Sequence, residues 1–200
     1  MCAVICQKVF HTTVWDVVEA AGADDPAAVS RIAEEYRAPI LGFIRSRGVA
    51  APHAEDLCHD VFVRLLAGGV LAKADAAKGR FRTLLCTVTI RVIQDWSRRH
   101  REVPCDDLDP VAPAQAFDRL WILHLIERAF KQLKTTSPRS YEVLRSHLHD
   151  QAPDRNKLWI ARRKLASLLR REIAMTCRSP EQVDIELACL SPYLRPPKAE

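Results

Sequence analysis

Along most of the chain, apolar residues recur three and four positions apart, the period of one helix face, and alternating β-branched runs bounded by turn signals are few. The pattern predicts an all-α protein. "DDPAAVSRIAEEYRAPILGFIRSRG", residues 24–48, offers Asp25 as an N-cap, Pro26 at the first helical position and an apolar stripe ending at Gly48. Pro39 predicts a kink or break inside it, because proline lacks the N–H that an interior turn requires. "APHAEDLCHDVFVRLLAGG" predicts a second helix from beyond Pro52 to the stop at Gly68 and Gly69. The third is "KGRFRTLLCTVTIRVIQDWSRRHRE", residues 78–102. "VPCDDLDPVAPAQA", residues 103–116, carries three prolines and three acids and is expected to be a linker rather than helix. Helical patterning resumes at "FDRLWILHLIERAFKQLK", "PRSYEVLRSHLHD" and "NKLWIARRKLASLLRREIAMTC". A closing helix, "SPEQVDIELACL", has Ser179 as cap and Pro180 at its first position. The expected organisation is an N-terminal tail with a short helix (1–25), a helical domain (26–102), an acidic Pro-rich linker (103–117) and a second helical domain (118–200).

Composition adds that this is a globular chain, 48% hydrophobic and 28% charged. No apolar run approaches the ~20 residues that span a bilayer, and the N-terminus lacks the charged start and cleavage site of a signal peptide, so a cytoplasmic location without membrane insertion is expected. Seven cysteines, odd in number and without paired spacing, read as small buried hydrophobes.

Charge is uneven along the chain. Residues 78–101 hold seven Lys and Arg against Asp95 alone, residues 155–171 hold seven against no acid, and residues 102–118 hold five acids and no base. Clustered Arg and Lys are the electrostatic footprint of a nucleic-acid partner, although a single basic block is more often a solvated helix face.

The helix beginning "HAEDLCHDVFVRLL" has an inward stripe of Leu57, Cys58, Val61, Phe62, Leu65 and Leu66, and an outer side of Glu55, Asp56, His59, Asp60 and Arg64. Asp56 and Asp60 stand one turn apart, but no acid–base partner or metal-ligand spacing accompanies them. In the basic helix Phe81, Leu84, Leu85, Val88, Val92 and Ile93 are expected to pack, leaving Arg82, Thr83, Thr87, Arg91, Gln94 and Trp96 on other faces. Arg98, Arg99 and Arg101 crowd its end. Cations at a helix C-terminus are favourable without any ligand. An aromatic among guanidinium groups also suits single-stranded bases, at ~1–3 kcal/mol of stacking per base. Residue chemistry alone leaves both readings open. No phosphate loop, nucleotide fingerprint or zinc signature is found, so no enzyme, cofactor, metal or small-molecule substrate is expected.

The order of segments resembles bacterial sigma factors of the small extracytoplasmic-function kind. Their pattern "AEDLxQxxFxRLL" followed by "FRxxLxxxxxNxxxDxxRRxR" is met by Ala54, Glu55, Asp56, Leu57, Phe62, Arg64, Leu65 and Leu66, then Phe81, Arg82, Leu84, Asp95, Arg98, Arg99 and Arg101. His59 stands where the family usually has Gln, and Arg91 where Asn is commonest.

The resemblance implies two small helical domains, a region 2-like bundle of three or four helices and a region 4-like domain. It implies that the acidic-faced helix docks on the clamp helices of the RNA polymerase largest subunit through Asp56, Leu57, Asp60, Val61 and Arg64. The next helix would melt the minus-ten element of promoter DNA and hold a flipped base through Arg82, Arg91, Gln94, Trp96, Arg98 and Arg99. The linker would thread toward the polymerase active centre. An anti-sigma factor or other inhibitory protein, membrane-bound, soluble or CRISPR-associated, is the implied regulatory partner. In the second half, "RSHLHDQAPDRNKLWIARRKLASLLRREIA" lacks the segment that would supply the first helix of the family's helix-turn-helix. Arg155, Lys157, Arg162, Arg163 and Lys164 either contact phosphates on the remaining helix or form its solvated back. The alternative implied function is a degenerate sigma-like interaction module that serves as a regulator's target without minus-thirty-five reading.

Overall fold

The computed structural model describes residues 14–67, 69–75, 80–100, 111–149, 152–177 and 179–194, and among these it contains helices and no strand. The all-α expectation holds. The helices are α1 (Val14–Gly22), α2 (Pro26–Ser46), α3 (Ala51–Ala67), α4 (Phe81–His100), α5 (Val111–Thr136), α6 (Pro138–Leu148), α7 (Arg155–Ala174) and α8 (Pro180–Leu194). The chain divides into two compact units, with the division between Trp121 and Ile122.

In the first unit, α2 packs against α1, α3 and α4, and α3 packs against α4. The Asp25 side chain accepts a hydrogen bond from the Ala27 N–H at 3.0 Å, and Pro26 takes the first position, so α2 starts as its sequence predicts. It runs through Pro39 as one helix rather than breaking there. Pro39 is buried in the middle of the unit, where packing on both sides outweighs the lost hydrogen bond. The Cys58 thiol of α3 donates to the Arg37 carbonyl at 3.9 Å, two residues before that proline.

Aromatic rings organise the core. Tyr36 stacks on Trp121 with centroids 4.8 Å apart, and Phe81 meets Tyr36 edge-on at 5.2 Å and Trp15 edge-on at 6.0 Å. Phe43 of α2 meets Phe117 at 5.5 Å. Around them Ile40, Ile44, Leu57, Val61, Leu65, Leu85 and Val88 are buried. At Gly22 a side chain would meet the backbone of Ala72 at 3.0 Å, so this glycine lets α1 approach the 69–75 loop closely.

The expected linker overlaps a helix. Residues 103–110 lie outside the described residues, but α5 starts at Val111, so 111–117 are helical. Pro113 is tolerated because it lies in the first turn, where the N–H groups have no intrahelical partner. Phe117, Asp118 and Trp121 of this first stretch belong to the first unit.

In the second unit, α7 packs against α6 and α8. Leu133, Leu144 and Ala161 form the centre, with Phe130, Tyr141, Leu158, Leu165 and Leu168 against them. Glu172, buried on α7, receives Arg128 at 2.8 Å and the amide of Gln132, which ties α5 to α7. Asp154 caps α7 by accepting from the N–H groups of Asn156 and Lys157 at 3.0 and 2.9 Å. Ser179 caps α8 by accepting from Gln182 at 3.3 Å, and α8 continues past the predicted end to Leu194. Residues 149–154 alone join α6 to α7, which leaves no room for another helix between them.

Candidate nucleic-acid interface

On α3 the 3.6-residue period sends Leu57, Cys58, Val61 and Leu65 inward and leaves Asp56, His59, Asp60, Val63 and Arg64 exposed. Of the residues expected to meet a polymerase, Asp56, Asp60 and Arg64 stand outward. Leu57 and Val61 do not: they are core side chains, because their spacing puts them on the stripe facing α2 and α4. Glu55 holds two arginines of α2, Arg37 and Arg45, the latter at 3.2 Å. Arg64 donates to the Asp95 carboxylate of α4 at 2.8 Å. That hydrogen bond holds the Asp95 carboxyl below its ordinary range, aided by Arg98 and Arg99.

α4 carries its polar side chains along one line. Thr83, Thr87, Arg91, Gln94 and Arg98 follow one another at helical spacing, and each is exposed or half-buried. Arg98 lies 3.6 Å from the Asp95 carboxylate, and Arg99 donates to the Asp95 carbonyl at 3.1 Å. Arg64, Arg99 and Asp95 border an open groove of about 400 Å³ between α3 and α4, floored by Val63, Ala67 and Val92.

Two residues expected on this face are elsewhere. Trp96 is only 8% exposed. It stacks on His100 at 5.0 Å and lies 5.6 Å from His53 of α3, and the His100 Nδ1 sits 2.9 Å from the Trp96 carbonyl. Trp96 follows Val92 by one turn, so it falls in the middle of the buried arc and offers no open ring face to a base. Arg82 is 6% exposed and bonded through Nε to Asp118 of α5 at 2.5 Å. It joins two helices of the core. Arg91, Gln94, Arg98 and Arg99 remain where the sequence placed them, toward solvent.

A second recess of about 250 Å³ was not foreseen. It is walled by Trp15, Lys73, Asp75, Arg80, Thr83 and Thr87, and so joins α1, the 69–75 loop and the start of α4. The Thr87 hydroxyl donates to the Thr83 carbonyl at 2.9 Å, so its oxygen keeps accepting capacity. Threonines one turn apart beside Arg80 are a visible sequence signal. Lys73 and Trp15 reach the recess through tertiary folding and carry none.

In the second unit Arg155, Lys157, Arg162, Arg163 and Lys164 are all exposed, but they do not form one phosphate-facing row. Arg162 lies 2.9 Å from the His147 ring nitrogen, and Lys164 donates to the Ser137 hydroxyl at 2.7 Å, so both lean along α6. Arg163 lies over the Trp159 ring at 5.3 Å. Among the described residues no group of three His, Cys, Asp or Glu is placed to hold a metal, and no helix is long and apolar enough to cross a membrane.

Residues 32–103 match the family model described as Sigma-70 region 2. The segment from Ile32 in α2 to the end of α4 is thus similar to a sigma-70 region 2 domain, which supports a sigma-70 family member. No curated protein and no solved structure matches the chain.

Proposed function

We propose that the protein is a sigma factor of the extracytoplasmic-function kind, which directs core RNA polymerase to promoters, opens the minus-ten element and works by binding rather than catalysis in the bacterial cytoplasm. The observation that carries this reading is the region 2 match over α3, which presents Asp56, Asp60 and Arg64, and α4, which presents Arg91, Gln94, Arg98 and Arg99. The α3 side meets the clamp helices of the polymerase largest subunit. The melted non-template strand runs along Thr83, Thr87, Arg91, Gln94 and Arg98, with its phosphates drawn to the cations and a flipped base in the Trp15–Thr83–Thr87 recess. Trp96 acts from within, holding α4 against His53.

The test separates the two sides. Asp60→Arg is expected to abolish capture by core polymerase. Arg98→Ala with Arg99→Ala is expected to leave capture intact and to prevent promoter opening, read by permanganate reactivity of unpaired thymines. Equal loss of core binding in both variants would refute the division of labour.

A second reading is favoured by one observation, the direct passage from α6 to α7 through residues 149–154. So short a connection supports a second unit without the additional helix of a minus-thirty-five reader. On this reading the chain is a sigma-like module governed by an anti-sigma factor or comparable inhibitory protein. Transcription from a promoter whose minus-thirty-five element has been scrambled distinguishes the two: unchanged output supports it, and loss of output refutes it.

A further inference from the structure

α7 violates the usual inside–outside rule on one side only. Its inward positions, Leu158, Ala161, Leu165, Leu168, Leu169 and Ile173, pack in the second unit. On the opposite side, along the line of Asn156, Trp159, Ile160, Arg163, Ser167 and Arg170, stand a tryptophan 59% exposed and an isoleucine 46% exposed. Leu148, at the end of α6, is also exposed, and its neighbour His147 meets Arg162 of α7. A single exposed apolar residue needs no explanation, but adjacent large ones on one helix face do.

The surroundings of this patch are mainly basic. Arg155, Lys157, Arg163 and Arg171 border it, Arg170 is paired with Asp184 of α8 at 2.7 Å, and the only acid of α7, Glu172, is buried against Arg128. An apolar centre of Trp and Ile with an arginine rim is the composition of a protein-binding hot spot. Duplex DNA suits it less well. Phosphates do not desolvate Ile160 or Leu148, and Arg162 and Lys164 are turned to His147 and Ser137.

We propose that the outward face of α7, centred on Trp159 and Ile160, docks an acidic amphipathic helix of a partner protein. The partner's leucine-type side chains, one turn apart, cover Trp159 and Ile160, and its carboxylates pair with Arg155, Lys157 and Arg163. This surface stands on exposure and charge alone and does not depend on the sigma-factor reading.

The probe is a fluorescein-labelled peptide of about 18 residues, long enough to form a helix once bound. It carries leucines at i, i+3, i+4 and i+7 on an otherwise glutamate-rich sequence. Controls are a shuffled peptide of the same composition and a DNA duplex, all titrated by fluorescence anisotropy into the full-length protein. The ordered peptide is expected to bind at least about tenfold more tightly than the shuffled one. Trp159→Ala with Ile160→Ser is expected to remove that preference, as truncation of a central aromatic anchor does. Duplex binding should be unchanged. Both side chains are exposed, so the circular dichroism melt of the double variant should match the wild type, which keeps the result interpretable. Equal binding of ordered and shuffled peptides overturns the proposal. So does a double variant that loses duplex binding while keeping the peptide, which would return the face to DNA. Sedimentation showing wild-type self-association that the double variant lacks would assign the face to a second copy, and overturns it as well.

Discussion

Replacing Asp118 by alanine tests whether Arg82 is a structural residue or a nucleic-acid contact. Arg82 is 6% exposed and its partner Asp118 is 22% exposed. In Asp118→Ala the buried guanidinium loses the carboxylate that binds its Nε. Removing one member of a buried pair costs about 3–5 kcal/mol, and the partial exposure of Asp118 places this site near the lower end, about 3 kcal/mol. For a cooperative unit of roughly a hundred residues each kcal/mol moves Tm by about 4 °C or more, so a fall of about 12 °C is expected in differential scanning calorimetry. Arg82→Met should cost less. It keeps the apolar stem among the buried side chains, and the carboxylate it orphans can take up water. The double variant Arg82→Met, Asp118→Leu should recover most of the loss, because an apolar pair of similar volume commonly substitutes for a buried ion pair. The reasoning fails if Asp118→Ala melts within about 2 °C of the wild type. It fails equally if Arg82→Met leaves the melt untouched and yet abolishes promoter opening, the behaviour of a DNA contact.

Two further outcomes follow from the ionisable groups. Burial pushes the thiols of Cys58 and Cys86 up to about 11, so both remain protonated at neutral pH and should resist iodoacetamide in the folded protein, while reacting rapidly in denaturant. Peptide mapping that finds either one alkylated at equal rates in both states would contradict the packing of α3 and α4. The Asp95 carboxyl is held low by Arg64, so the folded form favours its ionised state. That contribution is fully present above the ordinary carboxylate range and is lost as pH falls through the lowered value. Asp95→Asn should therefore flatten the acid limb of the stability–pH curve and leave the alkaline limb unchanged, as measured by urea midpoints across pH.

Local rules made much of the architecture legible. The caps at Asp25–Pro26 and Ser179–Pro180 and the stripe through Leu57, Val61 and Leu65 required only spacing and side-chain chemistry. What sequence reading missed was settled by neighbours distant in the chain. Arg82 is buried because Asp118 waits on α5, and Trp96 is enclosed because His53 of α3 lies beside it. The spacing of Trp96 after Val92 and Ile93 did carry a warning, which its chemical resemblance to a base-stacking residue outweighed. The helical start of α5 at Val111 was hidden by Pro113, which forbids an interior turn but not a first one. The recess beside Thr83 and Thr87 depends on Trp15 and Lys73 arriving from separate segments.

Asp95 accepts Arg64 from the neighbouring helix with one carboxylate oxygen and attracts Arg98 from its own helix with the other. The two arginines lie on surfaces assigned to different macromolecules, so the same carboxylate is a point of crosstalk between them. A polymerase carboxylate that draws Arg64 away would leave more of the Asp95 charge to Arg98, and a phosphate that draws Arg98 away would do the converse. Because both pairs are open to solvent, the exchange is a graded and salt-sensitive bias rather than a latch. If both surfaces are engaged as proposed, each would thereby tune the other, most strongly in dilute buffer.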